Sequence, residues 1–342
     1  MLKKICPVFI FSICYILTGN GQVVHKPDDL YKISHDSKLE YTVSKLNTPV
    51  PDNDYSNILN ESGVYNEDSN GTTTLKKIHI SGAAESEWGK GNSSFRNKEY
   101  KDARQHYKNV LDIQPDYYPA SVQIAKSFEG EEDYDKAVTA YKQAISKNYI
   151  DYTSHWYLAD AYFNDRKYDD AVNEITIASI LNRNDTAILA DMKKIYLEAH
   201  LKFDYWIFTP QCKVSKDPKS REVKVQTKND WEGYAIVKAI WEFEPGYAES
   251  QGEKPGIPSL LEEKECLTNL IAGQDKHVDA VFEKPIAILK KAQEYKLIDG
   301  FAYYEELLPA HPSLAYQLPT NVIKTIKNYV VLGHGGEAPK KK

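Results

Sequence analysis

Methionine is almost missing from this chain, with 2 residues in 342 against 25 tyrosines. That shortage excludes a soft, Met-filled core and points to amphipathic packing and contact surfaces. Glycine is sparse at 17 residues, and no glycine-rich phosphate loop occurs. The run Gly333-His334-Gly335-Gly336 lies at a terminus with no helix after it. There is no Gly-x-Ser-x-Gly elbow and no His-Glu-x-x-His helix, and the nine histidines are scattered singly. An excess of positive charge is lacking too. The formal net charge of -6 offers nothing to a nucleic-acid partner. Cysteine is scarce, and two of the four residues, Cys6 and Cys14, fall in the first 21 positions. Cys212 and Cys266 remain, as one disulfide or as two buried free thiols. Their wide separation, with no His or Cys nearby, excludes a metal site built on them. No cofactor is called for.

Long apolar runs are also absent after residue 17. Lys3 and Lys4 followed by an apolar stretch over 5–17 read as a signal peptide over 1–21, with Gly19 and Gly21 placed for cleavage before Gln22. The stretch is short for a membrane span. The expected mature protein is therefore exported, periplasmic, envelope-associated or secreted, with no membrane span. Residues 22–83 are rich in Asn, Asp, Ser and Thr and read as an extended, partly disordered leader. A short helix is expected over 37–46 and a strand over 72–80. The basic end, 333–342, reads as a disordered tail.

With 42% hydrophobic and 27% charged residues, the remainder has enough apolar surface for two units. Its strongest pattern is a repeat. Tyr100, Tyr134 and Tyr168 recur every 34 residues, followed at the same step by Ala103, Ala137 and Ala171, and then by Tyr107, Tyr141 and Ile175. Each unit carries a turn, an aromatic, a small residue three later and apolar positions at helical spacing. This resembles the tetratricopeptide repeat, a helix-turn-helix unit of about 34 residues. The resemblance implies a mainly α fold: a solenoid of about three hairpins, near 84–117, 118–151 and 152–185, with a capping helix over 187–201. Small residues at Ala103, Ala137 and Ala171 would let paired helices approach closely. Gly89 and Gly91 weaken the first helix of the first unit.

Residues 201–332 read as a small α-rich domain with a β-hairpin. Runs over 205–214 and 222–227 flank a Lys-Asp-Pro-Lys turn. Helices follow from Asp230 and over 259–272, 277–295, 301–308 and 320–331, with a kink or break at Pro285. Asn184-Asp185-Thr186 reads as a helix cap, and secondarily as a glycosylation acceptor.

By the resemblance, first helices line a groove, which assigns Trp88 and Asn92, then Val122, Lys126 and Glu129, then Trp156, Asp160 and Phe163 as candidates for partner contact. The Trp residues could equally be packing residues, or be covered by the leader. The family's grip on a C-terminal carboxylate is not reproduced, since Asn92 lacks its basic and Asn companions. The expected function is a non-catalytic scaffold that holds a protein or peptide. The alternative is an enzyme with its site near Trp231, Glu232, Tyr234 and Glu242, using the repeats as a docking arm.

Overall fold

The computed structural model describes residues 24–52, 59, 63–69, 72–273 and 283–336; the stretch 1–21, read above as a signal peptide, lies outside them. Six helices form three antiparallel hairpins: α2 (Gly82–Arg96) with α3 (Tyr100–Ile113), α4 (Tyr118–Glu129) with α5 (Tyr134–Lys147), and α6 (Tyr152–Asn164) with α7 (Tyr168–Leu181). Successive hairpins stack through α3 on α4 and α5 on α6. Ala103, Ala137 and Ala171 are fully buried in the second helices, beside the equally buried Tyr107, Tyr141 and Ile175. Gly91 does not merely weaken α2. A Cβ there would stand 2.7 Å from the Tyr107 ring, so the residue is small because a buried ring occupies the space. Ala125 and Ala159 recur at the same 34-residue step, with no exposed surface.

The repeat runs further than three units. Non-glycine residues with left-handed backbone recur at Lys98, Glu132, Arg166 and His200, with φ of 63, 59, 60 and 59°. Each closes the turn after a first helix. The capping helix α8 (Thr186–Glu198) is therefore the first helix of a fourth unit whose second helix is missing. Asp185 caps it by accepting bonds from the amides of Ala187 and Ile188. Asn184 is buried and donates to the Pro309 carbonyl at 2.9 Å, an arrangement of packing and not of exposed glycosylation.

Beyond α8, β4 (Cys212–Lys216) and β5 (Glu222–Thr227) pair antiparallel. The leader supplies the third strand: β1 (Glu40–Lys45) pairs parallel with β5, Glu40 opposite Glu222 and Lys45 opposite Thr227. The helix expected over 37–46 is thus a strand, and the leader's helix is α1 (Pro27–Asp36), packed on α9 (Glu232–Phe243). Strands β2 (Val64–Ser69) and β3 (Thr72–Lys77) make a separate hairpin. After α9 come the single turn α10 (Tyr247–Ser250), then α11 (Leu260–Ala272), α12 (Glu283–Glu294), α13 (Ile298–Phe301), a π-helical stretch (Ala302–Leu307), α14 (Leu308–Ala310) and α15 (Thr320–Gly333). Pro285 is the third residue of α12 as described; residues 277–282 of the expected helix lie outside the described ones. Lys296, with φ 57°, closes a turn between α12 and α13 like those of the repeats.

Packing decides one open alternative and corrects one expectation. Cys212 and Cys266 are free thiols, each pushed up in pKa by burial, Cys212 to about 12. The tail does not start at 333. His334 is buried, with Nε2 2.8 Å from Glu305 and Nδ1 donating to the Asp204 carbonyl at 2.8 Å.

Candidate functional site

The first helices α4 and α6 touch each other as well as their own partners, which gives the stack an inner face. There the sequence-assigned residues fall into two groups. Trp88 and Asn92 make their contacts around the first hairpin: Trp88 packs on Tyr107 and edge-on to Tyr117, both at 5.3 Å between centroids, and Asn92 accepts the Tyr107 hydroxyl at 2.9 Å. Lys126, Glu129, Trp156, Asp160 and Phe163 are drawn into one continuous surface. Val122 is buried and takes no part in it.

That surface is built on aromatics. Tyr141, Tyr157 and Trp156 form a stacked series, with centroid separations of 6.3 and 6.4 Å and interplanar angles of 30 and 10°. The Lys126 ammonium lies over the Tyr157 ring at 4.2 Å, and that of Lys194 over Phe163 at 4.2 Å. Trp156 donates its indole N–H to Asp191 at 2.8 Å. Tyr141 donates its hydroxyl to Glu129. All five assigned residues of this group are half-buried, so the surface is shaped and still reachable.

Carboxylates run through it at a constant interval of 31: Glu129, Asp160 and Asp191. The interval is about one helical turn short of the repeat, so the three step obliquely from α4 to α6 to α8. Burial pushes Glu129 up to about 7, with the Tyr141 hydroxyl opposing and the Asp160 charge adding. Burial also raises Asp160 to about 6, followed by the charge of Asp191, against Lys194. The surface is therefore adjustable in charge near neutrality. Sequence reasoning missed Tyr141, Tyr157, Asp191 and Lys194. The 31-residue interval was the available signal for Asp191.

The described leader does not fill this surface. Its bonds go elsewhere: His25 to Glu265, Ser37 and Tyr41 to Glu244, Val50 to Gln211, Leu59 to Asn182. In the C-terminal part, Trp231 and Tyr234 are buried. Tyr234 donates to Glu306 at 2.6 Å, and Lys238 reaches Glu262 and Glu263 at 2.7 and 2.8 Å. Burial first, then the neighbouring Glu263, raises Glu306 well above the usual carboxylate range. Glu242 is also raised by burial but has no part in those bonds. Among the described residues no group of three His, Cys, Asp or Glu is placed to hold a metal ion, and no helix is long and apolar enough to cross a membrane.

Stacked hairpins with a shaped inner face define a helical-repeat scaffold. The family model described as "Tetratricopeptide repeat" matches residues 122–175, from α4 into α7, and the hairpins within that span have the form of tetratricopeptide repeats. No curated protein matches the chain. Solved structures similar to it include the first TPR of Spaghetti (RPAP3) bound to an HSP90 peptide, 19% identical, covering 36% of this chain and 98% of that one, TM-score 0.34. Another is the Arabidopsis OM64 TPR domain, 16% identical, covering 33% and 93%, TM-score 0.32. A third is yeast Tom70, 16% identical, covering 73% of this chain and 50% of that one, TM-score 0.32.

Proposed function

We propose that this protein is a non-catalytic scaffold of the cell envelope or exterior, which holds a segment of another polypeptide against the inner face of its repeats. The observation that carries the reading is the half-buried, stacked pair Tyr157 and Trp156, backed by the buried Tyr141 and bordered by Lys126, Glu129, Asp160 and Lys194. Rigid aromatics supply contact area at low entropy cost, and the charged border fixes register. The C-terminal unit anchors the last repeat and orients the face.

The test is capture by the mature protein, immobilised, from its own envelope extract. A partner that binds the native protein is then titrated against Trp156→Ala and Asp160→Asn. The expected result is a loss of tenfold or more in affinity for Trp156→Ala, with helix content and cooperative unfolding retained. Equal affinity for both variants and the native protein would remove the inner face from the function. The export part is tested separately, by N-terminal sequencing of the mature chain, which is expected to start at Gln22.

A further inference from the structure

The three-stranded sheet ends on a strand with an open side. In the order β1–β5–β4, β1 lies at the rim. Two bonds fix which of its residues face inward: the Glu40 amide donates to the Arg221 carbonyl and the Leu46 amide to the Thr227 carbonyl, each at 2.9 Å. In a parallel ladder, alternate residues turn their N–H and C=O to the neighbouring strand. Glu40, Thr42 and Ser44 therefore face β5, and Tyr41, Val43 and Lys45 turn both backbone groups outward. Among the described residues none bonds to those groups. All of β1 is exposed except the half-buried Tyr41, and Val43 is left 42% exposed. A groove lined by Tyr31, Tyr41, Val43, Glu232 and Ile236 runs beside it. Two charges next to this strand lack an opposite charge among the described residues. Lys45 has no carboxylate. Glu244, half-buried at the end of α9, has no cation and accepts only the hydroxyls of Ser37 at 2.6 Å and Tyr41 at 2.8 Å.

We propose that this edge is where two copies of the chain associate, β1 against β1, antiparallel about a two-fold axis at Val43, so that one sheet runs through both copies. A two-fold contact joins identical surfaces, and strands related in that way are antiparallel. In an antiparallel ladder, outward-turned residues oppose outward-turned residues. Val43 on Val43 of the second copy is the register that uses every open group of the strand. Tyr41 then opposes Lys45 of the second copy, and each opposed pair exchanges two N–H···O=C bonds. Tyr41, Val43 and Lys45 share one face of the sheet. Side chains directly opposite on one face are within reach of each other, so Lys45 of the second copy arrives beside the Tyr41 ring and the Glu244 carboxylate bonded to its hydroxyl. Both unpaired charges are met, and symmetry meets them twice. On the other face Thr42 opposes Ser44, two hydroxyls able to bond across the strands. A foreign strand could use the backbone groups alone. The match of Lys45 to Glu244 is complementarity of this chain to itself, and it selects a second copy as the occupant.

The test is the oligomeric state of the mature chain, followed by sedimentation over a range of concentrations. The native chain should pass from monomer to dimer as it is concentrated through the micromolar range. Val43→Pro removes the donor at the axis and leaves the bonds from β1 to β5 in place, since proline is tolerated where the N–H faces away from the sheet. It should weaken the dimer at least tenfold, with helix content, cooperative melting and the amide protection of Thr42 and Ser44 retained. Lys45→Gln and Glu244→Gln should each weaken it threefold or more, and the double substitution no more than either alone, because the two groups act as one pair. Val43→Cys should crosslink to its own copy under mild oxidation at least tenfold faster than Lys45→Cys, because position 43 meets itself and position 45 does not. A native chain that stays monomeric, a dimer indifferent to Val43→Pro, additive losses in the double variant, or equal crosslinking at 43 and 45 would each overturn the proposal. Should Val43→Pro loosen β1 from β5, the two cysteine variants, which keep every backbone donor, decide the matter alone.

Discussion

At the scale of single residues, two glycines of α2, Gly89 and Gly91, separate propensity from packing. Gly89 is exposed with nothing within 4 Å of a Cβ built on it, whereas Gly91 faces the buried Tyr107 ring at 2.7 Å. Gly89→Ala is expected to stabilise the protein by about 0.5–1 kcal/mol through helix propensity. Gly91→Ala gains the same propensity but meets a ring that has nowhere to go, and overpacking of that kind costs about 1–3 kcal/mol. Chemical denaturation of the pair should show shifts of opposite sign. Glu129 gives a pH signature. Its folded pKa, about 7, lies above the ordinary 4.5, so between those values the folded state holds more protons than the unfolded state. Stability from this group is full below about pH 4.5 and is lost as pH rises through 7. Glu129→Gln should flatten that decline and raise stability at pH 8 by on the order of 1–3 kcal/mol, read from thermal melts at pH 5 and 8.

At the scale of elements, the repeats were legible because their constraint is local. A small side chain every 34 residues is required wherever two helices cross closely, and Ala103, Ala137 and Ala171 show it in the bare sequence. Ala137→Leu should therefore cost about 1–3 kcal/mol or more, with the loss measured by denaturant titration and little change in helix content. The leader was illegible for the opposite reason. Strand β1 pairs with β5 about 180 positions later; Tyr41, Thr42 and Val43 favour a strand by propensity, but nothing local names that distant partner. The π-helical stretch Ala302–Leu307 carries no sequence mark either. Of the candidate site, the first-helix positions were readable by family resemblance. Of the rings and charges that complete the surface, Tyr141 comes from a second helix and Asp191 and Lys194 from the unfinished fourth unit, while Tyr157 stands on a first helix beside the assigned Trp156. Gln114, Asn148 and Asn182, whose side-chain amides bond main chain at Ser81, His79, Val64 and Leu59, shared the visible period, yet residues of this type at helix ends read simply as terminators.

At the scale of the molecule, the repeats and the C-terminal unit are joined through a buried ionic knot. Arg183, at the end of the third repeat, stands 3.5 Å from Glu305, stacks on Tyr304 at 4.1 Å and donates to the Tyr304 carbonyl at 3.1 Å. Glu305 also takes the Tyr329 hydroxyl at 2.8 Å, beside His334. Removing one partner of such a set leaves buried charge uncompensated and costs about 3–5 kcal/mol. Arg183→Ala should turn a single thermal transition into two, as the repeats and the C-terminal unit melt separately; calorimetry would check it.

Most solenoids are open-ended, and a unit can be gained or lost with little consequence beyond length. Here the leader is pinned at Leu59, Val64 and His79–Ser81, one fastening to each repeat. Excising 118–151 would join like turn to like turn, but it would strip the middle fastening and leave a slack loop between the outer two. The described N-terminal segment thus touches all three complete repeats, and the spacing of its fastenings matches theirs.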